Sequence, residues 1–263
     1  MSWDYRGLYG SILSARSCQL DIRAHADDLR CILDTAGVEK IHFAGWSMGV
    51  QVGLEFYSRY PERVASLSLL NGTYGRPLRG VPLPFAEFTL GPLIPRARVL
   101  GRFGHHVLSR ISRSPLTYAA VRKLGVVAPD LDRAHFYRMM SDFQHVDLDV
   151  YFELLDKLGA HDAESILPLI QVPTLVLTGA KDVLTPPHLA RRMAQRIRHA
   201  ELFVIPEGTH YAPAEYPNVI VERMLTFISA HFGSISAPST PDSSESLTAH
   251  STFATLEKPA LFS

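Results

Sequence analysis

The 263-residue sequence predicts an α/β fold in which a mostly parallel sheet is flanked by helices and carries an inserted helical cap. Short apolar runs alternate with helical patterns at both ends of the sequence, which indicates parallel strands joined by crossover helices. Between them, residues 75–167 are mostly helical in pattern and are repeatedly interrupted by proline. One apolar run also leads straight into a helix through Gly45-Trp46-Ser47-Met48-Gly49, the order that a nucleophile elbow requires.

The first part of the core, residues 1–74, contains two predicted helix–strand pairs. Apolar residues at helical spacing predict a helix over 20–36, which Gly37 ends. A buried strand is predicted over 41–44, followed by a helix over 50–57 that stops before Pro61.

A second strand over 64–70 closes this part of the core and ends at Asn71-Gly72. The second part of the core, residues 168–233, repeats the alternation. Its predicted elements are a strand over 173–178, a helix over 187–197, a strand over 201–205 and a helix over 214–232.

Residues 234–263 are expected to form a disordered tail. Ser, Thr and Pro make up half of this segment, so it cannot bury enough apolar surface to offset the entropy of ordering. Docking of its last apolar residues on a partner is the alternative.

Composition excludes several classes of function. Apolar residues make up 46% of the chain, which predicts a sizeable core, and 26 basic residues balance 26 acidic ones. A chain without basic excess is not expected to bind nucleic acid. No apolar stretch is long enough for stable membrane insertion, and the first residues lack the apolar core of a signal peptide.

The two cysteines, Cys18 and Cys31, fit a reducing compartment. At the rise of a helix, their separation of 13 residues would span about 20 Å, beyond disulfide reach. Reduced, buried thiols favour a cytoplasmic location.

Three residues at the ends of predicted strands form a candidate catalytic triad. Ser47 lies in the elbow, where Gly45 and Gly49 leave room for a tight turn. Asp182 and His210 follow the third and fourth strands, and strand ends on one edge of a parallel sheet converge. We therefore expect Ser47 to attack a carbonyl carbon, His210 to move its proton, Asp182 to orient the imidazole, and the Met48 N–H to meet the oxyanion.

Each assignment has a structural alternative. Ser47 could lie on a plain strand-to-helix turn, and Asp182 could be an ordinary loop residue. Among the other histidines, His42 is expected to be a packed core residue. No histidine pair has metal-ligand spacing, so neither a metal nor a cofactor is expected.

Together these residues resemble the α/β-hydrolase superfamily. The resemblance extends to Asp4-Tyr5-Arg6-Gly7, to Tyr60-Pro61-Glu62-Arg63-Val64 and to Gly208-Thr209-His210, and covers about residues 4–74 and 163–232. It implies a serine esterase or lipase-like member, because relatives that open epoxides or remove halides carry aspartate at the elbow. Relatives often have Gly where this chain has Val50, and some keep the acid where Asn71 lies.

The resemblance also implies that the chain starts after the family's fourth strand. We therefore expect an N-terminally truncated member, without the His-Gly loop that normally gives the second oxyanion donor.

The expected reaction is hydrolysis of a small-molecule carboxylic ester, lactone or thioester through an acyl-enzyme. An apolar run over 81–94 predicts a pocket for an apolar acyl group. Basic side chains predominate over residues 76–123 and could attract anions. Acidic side chains predominate over residues 129–164 and are expected to neutralise them. Three alternatives stay open: a perhydrolase, a carbon–carbon bond hydrolase or lyase on the same triad, or a catalytically impaired binding protein. The sequence does not predict an oligomeric state.

Overall fold

In the computed structural model, the described residues form one sheet of four parallel strands in the order β1-β2-β3-β4. The structure describes residues 1–11, 19–75, 114–129, 131–143 and 146–233. The strands are β1 (Ile41–Trp46), β2 (Val64–Leu70), β3 (Thr174–Gly179) and β4 (Ala200–Ile205). Since all four run parallel, their carboxyl ends share one edge of the sheet.

The helices cover both faces of this sheet, as the alternating pattern predicts. In chain order they are α1 (Ile22–Thr35), α2 (Met48–Arg59), α3 (Pro115–Lys123), α4 (Arg133–Phe143), α5 (Leu148–Ala160), α6 (Pro187–Arg196), α7 (Ala212–Glu215) and α8 (Pro217–Phe232). Short 3₁₀ helices span Pro61–Arg63 and Glu164–Leu169.

Alternate residues of the central strands enter two separate hydrophobic clusters. Leu67 and Leu69 of β2 pack in the cluster formed with α1, α2 and α6. Leu175 and Leu177 of β3 pack in the cluster formed with α8. This alternation is the period of two expected for strands that are buried on both faces.

Among the described residues, the helices α3 to α5 lie between β2 and β3, in the region predicted to be the cap. The two ends of this insertion are joined at its base by an antiparallel bridge between Gly75 and Asp162 and by a 2.7 Å hydrogen bond from the Ala163 N–H to the Tyr74 carbonyl. Tyr118, Val127 and Phe136 form a small apolar cluster within it. The apolar run predicted to line an acyl pocket lies outside the described residues, as does the predicted tail.

Three details of the prediction are wrong. His42 is exposed rather than packed in the core, because β1 has a neighbouring strand on one side only among the described residues, and alternate side chains of β1 face outward. The predicted last helix is two helices, since Pro217 lacks an N–H and Tyr216 leaves helical geometry (φ −130°, ψ 51°). Cys31 is exposed on α1, and Cys18 lies outside the described residues.

Within the described ranges, no helix combines the length and the apolar character that crossing a membrane requires.

Candidate active site

Ser47 occupies a strained turn between β1 and α2. Its backbone angles are φ 55° and ψ −115°, a positive φ that side-chain-bearing residues rarely adopt. The turn is crowded, because a Cβ on Gly45 would lie 2.4 Å from the Gly49 carbonyl oxygen. The Ser47 N–H donates to the Leu70 carbonyl at 3.0 Å, which ties the turn to the end of β2. Such strain is typical of a functional turn.

The two glycines of the elbow differ in how strictly they are required. A Cβ on Gly49 would lie 3.3 Å from the Tyr5 hydroxyl, a mild conflict, whereas Gly45 has no space for one. A third glycine matters as well: a Cβ on Gly72 would lie 2.3 Å from Val50 Cγ2 and 2.6 Å from the Ser47 carbonyl oxygen. Val50 therefore fits beneath the elbow only because residue 72 has no side chain.

Asp182 lies in the turn after β3, and its carboxylate is almost fully buried. Its Oδ1 accepts hydrogen bonds from the N–H groups of Leu184 (2.9 Å) and Thr185 (2.7 Å). Its Oδ2 accepts from the Thr185 hydroxyl at 2.7 Å and from the Asn71 amide at 3.1 Å. A short loop that folds back on its own aspartate thus fixes the direction of the carboxylate.

His210 lies between the acid and the serine. Its Nδ1 is 3.0 Å from Asp182 Oδ2, and its Nε2 is 3.0 Å from Ser47 Oγ. An ionised carboxylate can only accept, so Nδ1 carries the proton and Nε2 accepts from the serine hydroxyl. The structure therefore brings Ser47, Asp182 and His210 into one chain of hydrogen bonds, and residues from three different loops supply it.

Opposing effects set the ionisation of Asp182. Burial acts to raise the pKa of this carboxyl, but the hydrogen bonds and charge of His210 and the donors of Thr185 hold its pKa below the ordinary value. The carboxylate consequently stays ionised at neutral pH, which is the form that can hold an imidazolium.

Met48 directly follows Ser47 and opens helix α2. Met48 is the first residue of α2, so its N–H has no acceptor within the helix. The N-terminal end of the helix also carries partial positive charge.

Aromatic rings that the sequence analysis did not single out surround His210. The Trp46 indole N–H donates to the His210 carbonyl at 2.9 Å, and its ring packs 5.6 Å from that of Tyr211 in a T-shaped arrangement. Trp46 is nevertheless 42% exposed beside the nucleophile. Its position in the elbow was the only signal in the sequence that could have indicated it.

Asn71 is another residue that was missed as part of the site. It is buried, adopts a positive φ of 42°, and donates to both Asp182 Oδ2 (3.1 Å) and the Thr209 carbonyl (2.9 Å). Asn71-Gly72 was interpreted only as a turn signal. Some members of the family that the sequence resembles keep the catalytic acid at this place. That resemblance was the one sign in the sequence that the side chain of residue 71 faces the triad.

Two other histidines have structural environments. His42 contacts Ser66 Oγ at 2.9 Å, and His161, which directly follows α5, bridges Gln51 (2.7 Å) and Glu55 (3.2 Å). In the described part of the chain, no three His, Cys, Asp or Glu residues cluster in a way that could hold a metal ion.

Known proteins share sequence similarity with this chain. A family model described as the alpha/beta hydrolase fold matches residues 14–217. Among curated relatives, a 2-hydroxy-6-oxononadienedioate/2-hydroxy-6-oxononatrienedioate hydrolase of Paraburkholderia phymatum is 26% identical over 76% of this chain and 66% of its own length. A pimeloyl-[acyl-carrier protein] methyl ester esterase of Neisseria meningitidis is 28% identical over 72% of this chain and 56% of its own length. The chain thus matches between about half and two thirds of these relatives.

Solved structures share the fold at lower identity. An esterase from Exiguobacterium antarcticum superposes with a TM-score of 0.69 at 19% identity, covering 86% of this chain and 80% of the esterase. The enol-lactonase from Burkholderia xenovorans gives a TM-score of 0.68 at 22% identity, covering 86% and 79%.

Proposed function

The chain belongs to the alpha/beta hydrolase fold family, and from that premise we propose that it is a serine hydrolase that cleaves carboxylic esters, or related lactones and thioesters, of apolar acyl groups. The observation that carries the proposal is the continuous chain of hydrogen bonds from Ser47 Oγ through His210 to Asp182. The named relatives are hydrolases and esterases, in agreement with this class of reaction.

In the first half of the reaction, Ser47 Oγ attacks the carbonyl carbon while His210 Nε2 takes the hydroxyl proton. Asp182 stabilises the imidazolium that forms, and the Met48 N–H donates to the oxyanion. Collapse of the tetrahedral intermediate breaks the bond to the alcohol, which leaves with the proton from His210. The products of this half are the free alcohol and an acyl-enzyme on Ser47.

In the second half, water replaces the alcohol. His210 takes a proton from the water as it attacks the acyl carbon, and then returns that proton to Ser47 as the carboxylic acid leaves. The same three residues therefore act twice, and the enzyme ends in its starting protonation state.

An apolar acyl group is supported by the surroundings of the nucleophile. The exposed Trp46 ring and the neighbouring Tyr211 ring offer aromatic surface against His210, the histidine that contacts Ser47. Burial and the charge of Asp182 raise the pKa of Tyr211, so its phenol stays neutral. We also propose that α3 to α5 act as the cap over this surface and that residues 1–74 and 168–233 form the catalytic core.

Carbon–carbon bond hydrolysis on the same triad is the second candidate. It is favoured by one observation, the similarity to a relative named for a dienedioate rather than for an ester. The geometry around Ser47 serves either reaction, so the substrate must decide between them.

A p-nitrophenyl ester series of rising acyl length tests the proposal. Ser47→Ala is expected to lower kcat by about 10⁶-fold, because the serine and its base act as a unit. Ser58→Ala, an exposed serine on the same helix α2, is the matched control and should keep full activity. Equal activity of Ser47→Ala and the unaltered protein would contradict the assignment, and no hydrolysis of any ester would favour the carbon–carbon or binding alternatives.

A further inference from the structure

Glu215, the last residue of α7, gathers three donors from two separate parts of the chain. Its Oε1 accepts from the Ala128 N–H at 2.7 Å and from the Thr209 hydroxyl at 2.6 Å. Its Oε2 accepts from the Thr209 N–H at 2.9 Å. Ala128 lies between α3 and α4 in the insertion, whereas Thr209 directly precedes His210 in the core.

The segment that Glu215 binds is buried and is held from several sides. Ala128 and Thr209 are at most 1% exposed. The Thr209 hydroxyl also lies 3.0 Å from the Val126 carbonyl, and Tyr211 packs against the apolar cluster around Tyr118. The insertion thus meets the core at the two residues that flank His210.

We propose that Glu215 is a positioning residue for His210, and that it acts by clamping the segment between α3 and α4 onto the loop that carries His210. The inference rests on the proposed function. The Thr209 carbonyl is held by Asn71 and the Thr209 N–H by Glu215, so the backbone that enters His210 is fixed on both of its polar groups. A displacement of about 1 Å at a catalytic group can cost on the order of 100-fold in rate, so this fixation bears directly on turnover.

A carboxylate is the group that this position requires. Both oxygens face N–H donors, and a carboxylate can accept on both. In Glu215→Gln one oxygen becomes an NH₂ group, and in either amide orientation that NH₂ points at a backbone N–H. The substitution therefore keeps size and shape but removes at least one bond and leaves a part-buried donor opposed by another donor.

Glu207 offers a matched control on the same loop. This glutamate lies three residues before His210, but unlike Glu215 it is exposed and forms an ion pair with Lys181 at the surface. Exposed ion pairs contribute little, so Glu207→Gln should change neither the site nor the stability.

The test compares Glu215→Gln with Glu207→Gln in the full chain by two measurements. The first is the low-field proton NMR resonance of His210 Nδ1–H, assigned by its loss in His210→Gln. The second is steady-state hydrolysis of p-nitrophenyl acetate, whose short acyl group makes little contact with a cap. We expect Glu215→Gln to shift or lose the resonance and to lower kcat by at least about tenfold with KM changed less than about threefold, while Glu207→Gln behaves as the unaltered protein.

A lowered melting temperature with an unchanged resonance and unchanged kcat would overturn the proposal, because it would show that Glu215 only stabilises the fold. If Glu215→Gln does not fold, Thr209→Val is the second variant, because it removes one of the three donors to Glu215. It should lower kcat by less than the tenfold expected for Glu215→Gln. An unchanged kcat and an unchanged resonance in Thr209→Val would equally overturn the proposal. Absence of ester hydrolysis in the unaltered protein would count against the proposed function, and the resonance alone would then still decide the role of Glu215.

Discussion

Asn71→Asp is the substitution that most sharply probes the electrostatics of the triad. It exchanges one NH₂ group for oxygen without a change of shape, and it turns a donor 3.1 Å from Asp182 Oδ2 into a second carboxylate. At an effective dielectric constant of about 20, two unit charges at that distance repel by about 5 kcal/mol. The second contact, 2.9 Å to the Thr209 carbonyl, also becomes repulsive.

A single proton shared by the two carboxyl groups relieves this repulsion. The repulsion raises the pKa of the second ionisation of the pair well above the ordinary carboxyl value. Because this folded-state pKa is raised above the unfolded value, stability is fully present below the ordinary carboxyl pKa and is lost as the pH rises through the raised pKa. The unaltered protein has no such loss, since the pKa of Asp182 is lowered.

Urea unfolding at intervals between pH 4.5 and 8.5 measures this difference. We expect the free energy of unfolding of Asn71→Asp to fall with pH by several kcal/mol relative to the unaltered protein. Asn218→Asp, at an exposed asparagine on α8, is the matched control and should show no such slope. A stability difference for Asn71→Asp that does not vary with pH would refute the reasoning.

Three further substitutions test other parts of the structure. His25 is fully buried, and burial lowers its pKa to about 4, so its protonation should destabilise the fold as the pH falls from 6.5 towards 4. In unfolding titrations, His25→Phe should reduce that loss of stability. Parallel curves of stability against pH for His25→Phe and the unaltered protein would contradict this. Gly72→Ala should lower both stability and kcat, because its Cβ would lie 2.3 Å from Val50 Cγ2. Val50→Ala in the same chain removes that conflict but leaves Val50 Cβ and the Ser47 carbonyl oxygen 2.6 Å from the new Cβ, so it should restore only part of the stability. If Gly72→Ala alone keeps its melting temperature and kcat, the crowding is not real. Trp46→Phe keeps a ring but removes the hydrogen bond to the His210 carbonyl, so kcat should fall by about three- to tenfold, and an unchanged kcat would show that this bond does not position the histidine.

Local patterns predicted most of the fold. β2 has the predicted bounds, and β3 and β4 are shifted by a residue or less, because apolar runs bounded by turn residues are strong local signals. The break at Pro217 was missed although proline is itself a local signal, since the apolar spacing continues across it. The environment of His42 could not be predicted, because it depends on which strand lies beside β1.

The three triad residues could be predicted because strand ends are local signals in the sequence. Ser47, Asp182 and His210 each follow a strand, and the topology alone brings strand ends together. Asn71 and Glu215 were not identified, because their roles depend on partners far away in the sequence, Asp182 for one and Ala128 for the other. No spacing pattern in one sequence encodes such contacts.

The central claim is that Ser47 is a nucleophile activated by His210. The most direct test is to treat the protein with a fluorophosphonate and locate the adduct by peptide mass spectrometry. We expect one adduct, on Ser47, with labelling slowed by orders of magnitude in His210→Gln. A protein that stays unlabelled, or an adduct on another serine that forms equally fast in His210→Gln, would contradict it.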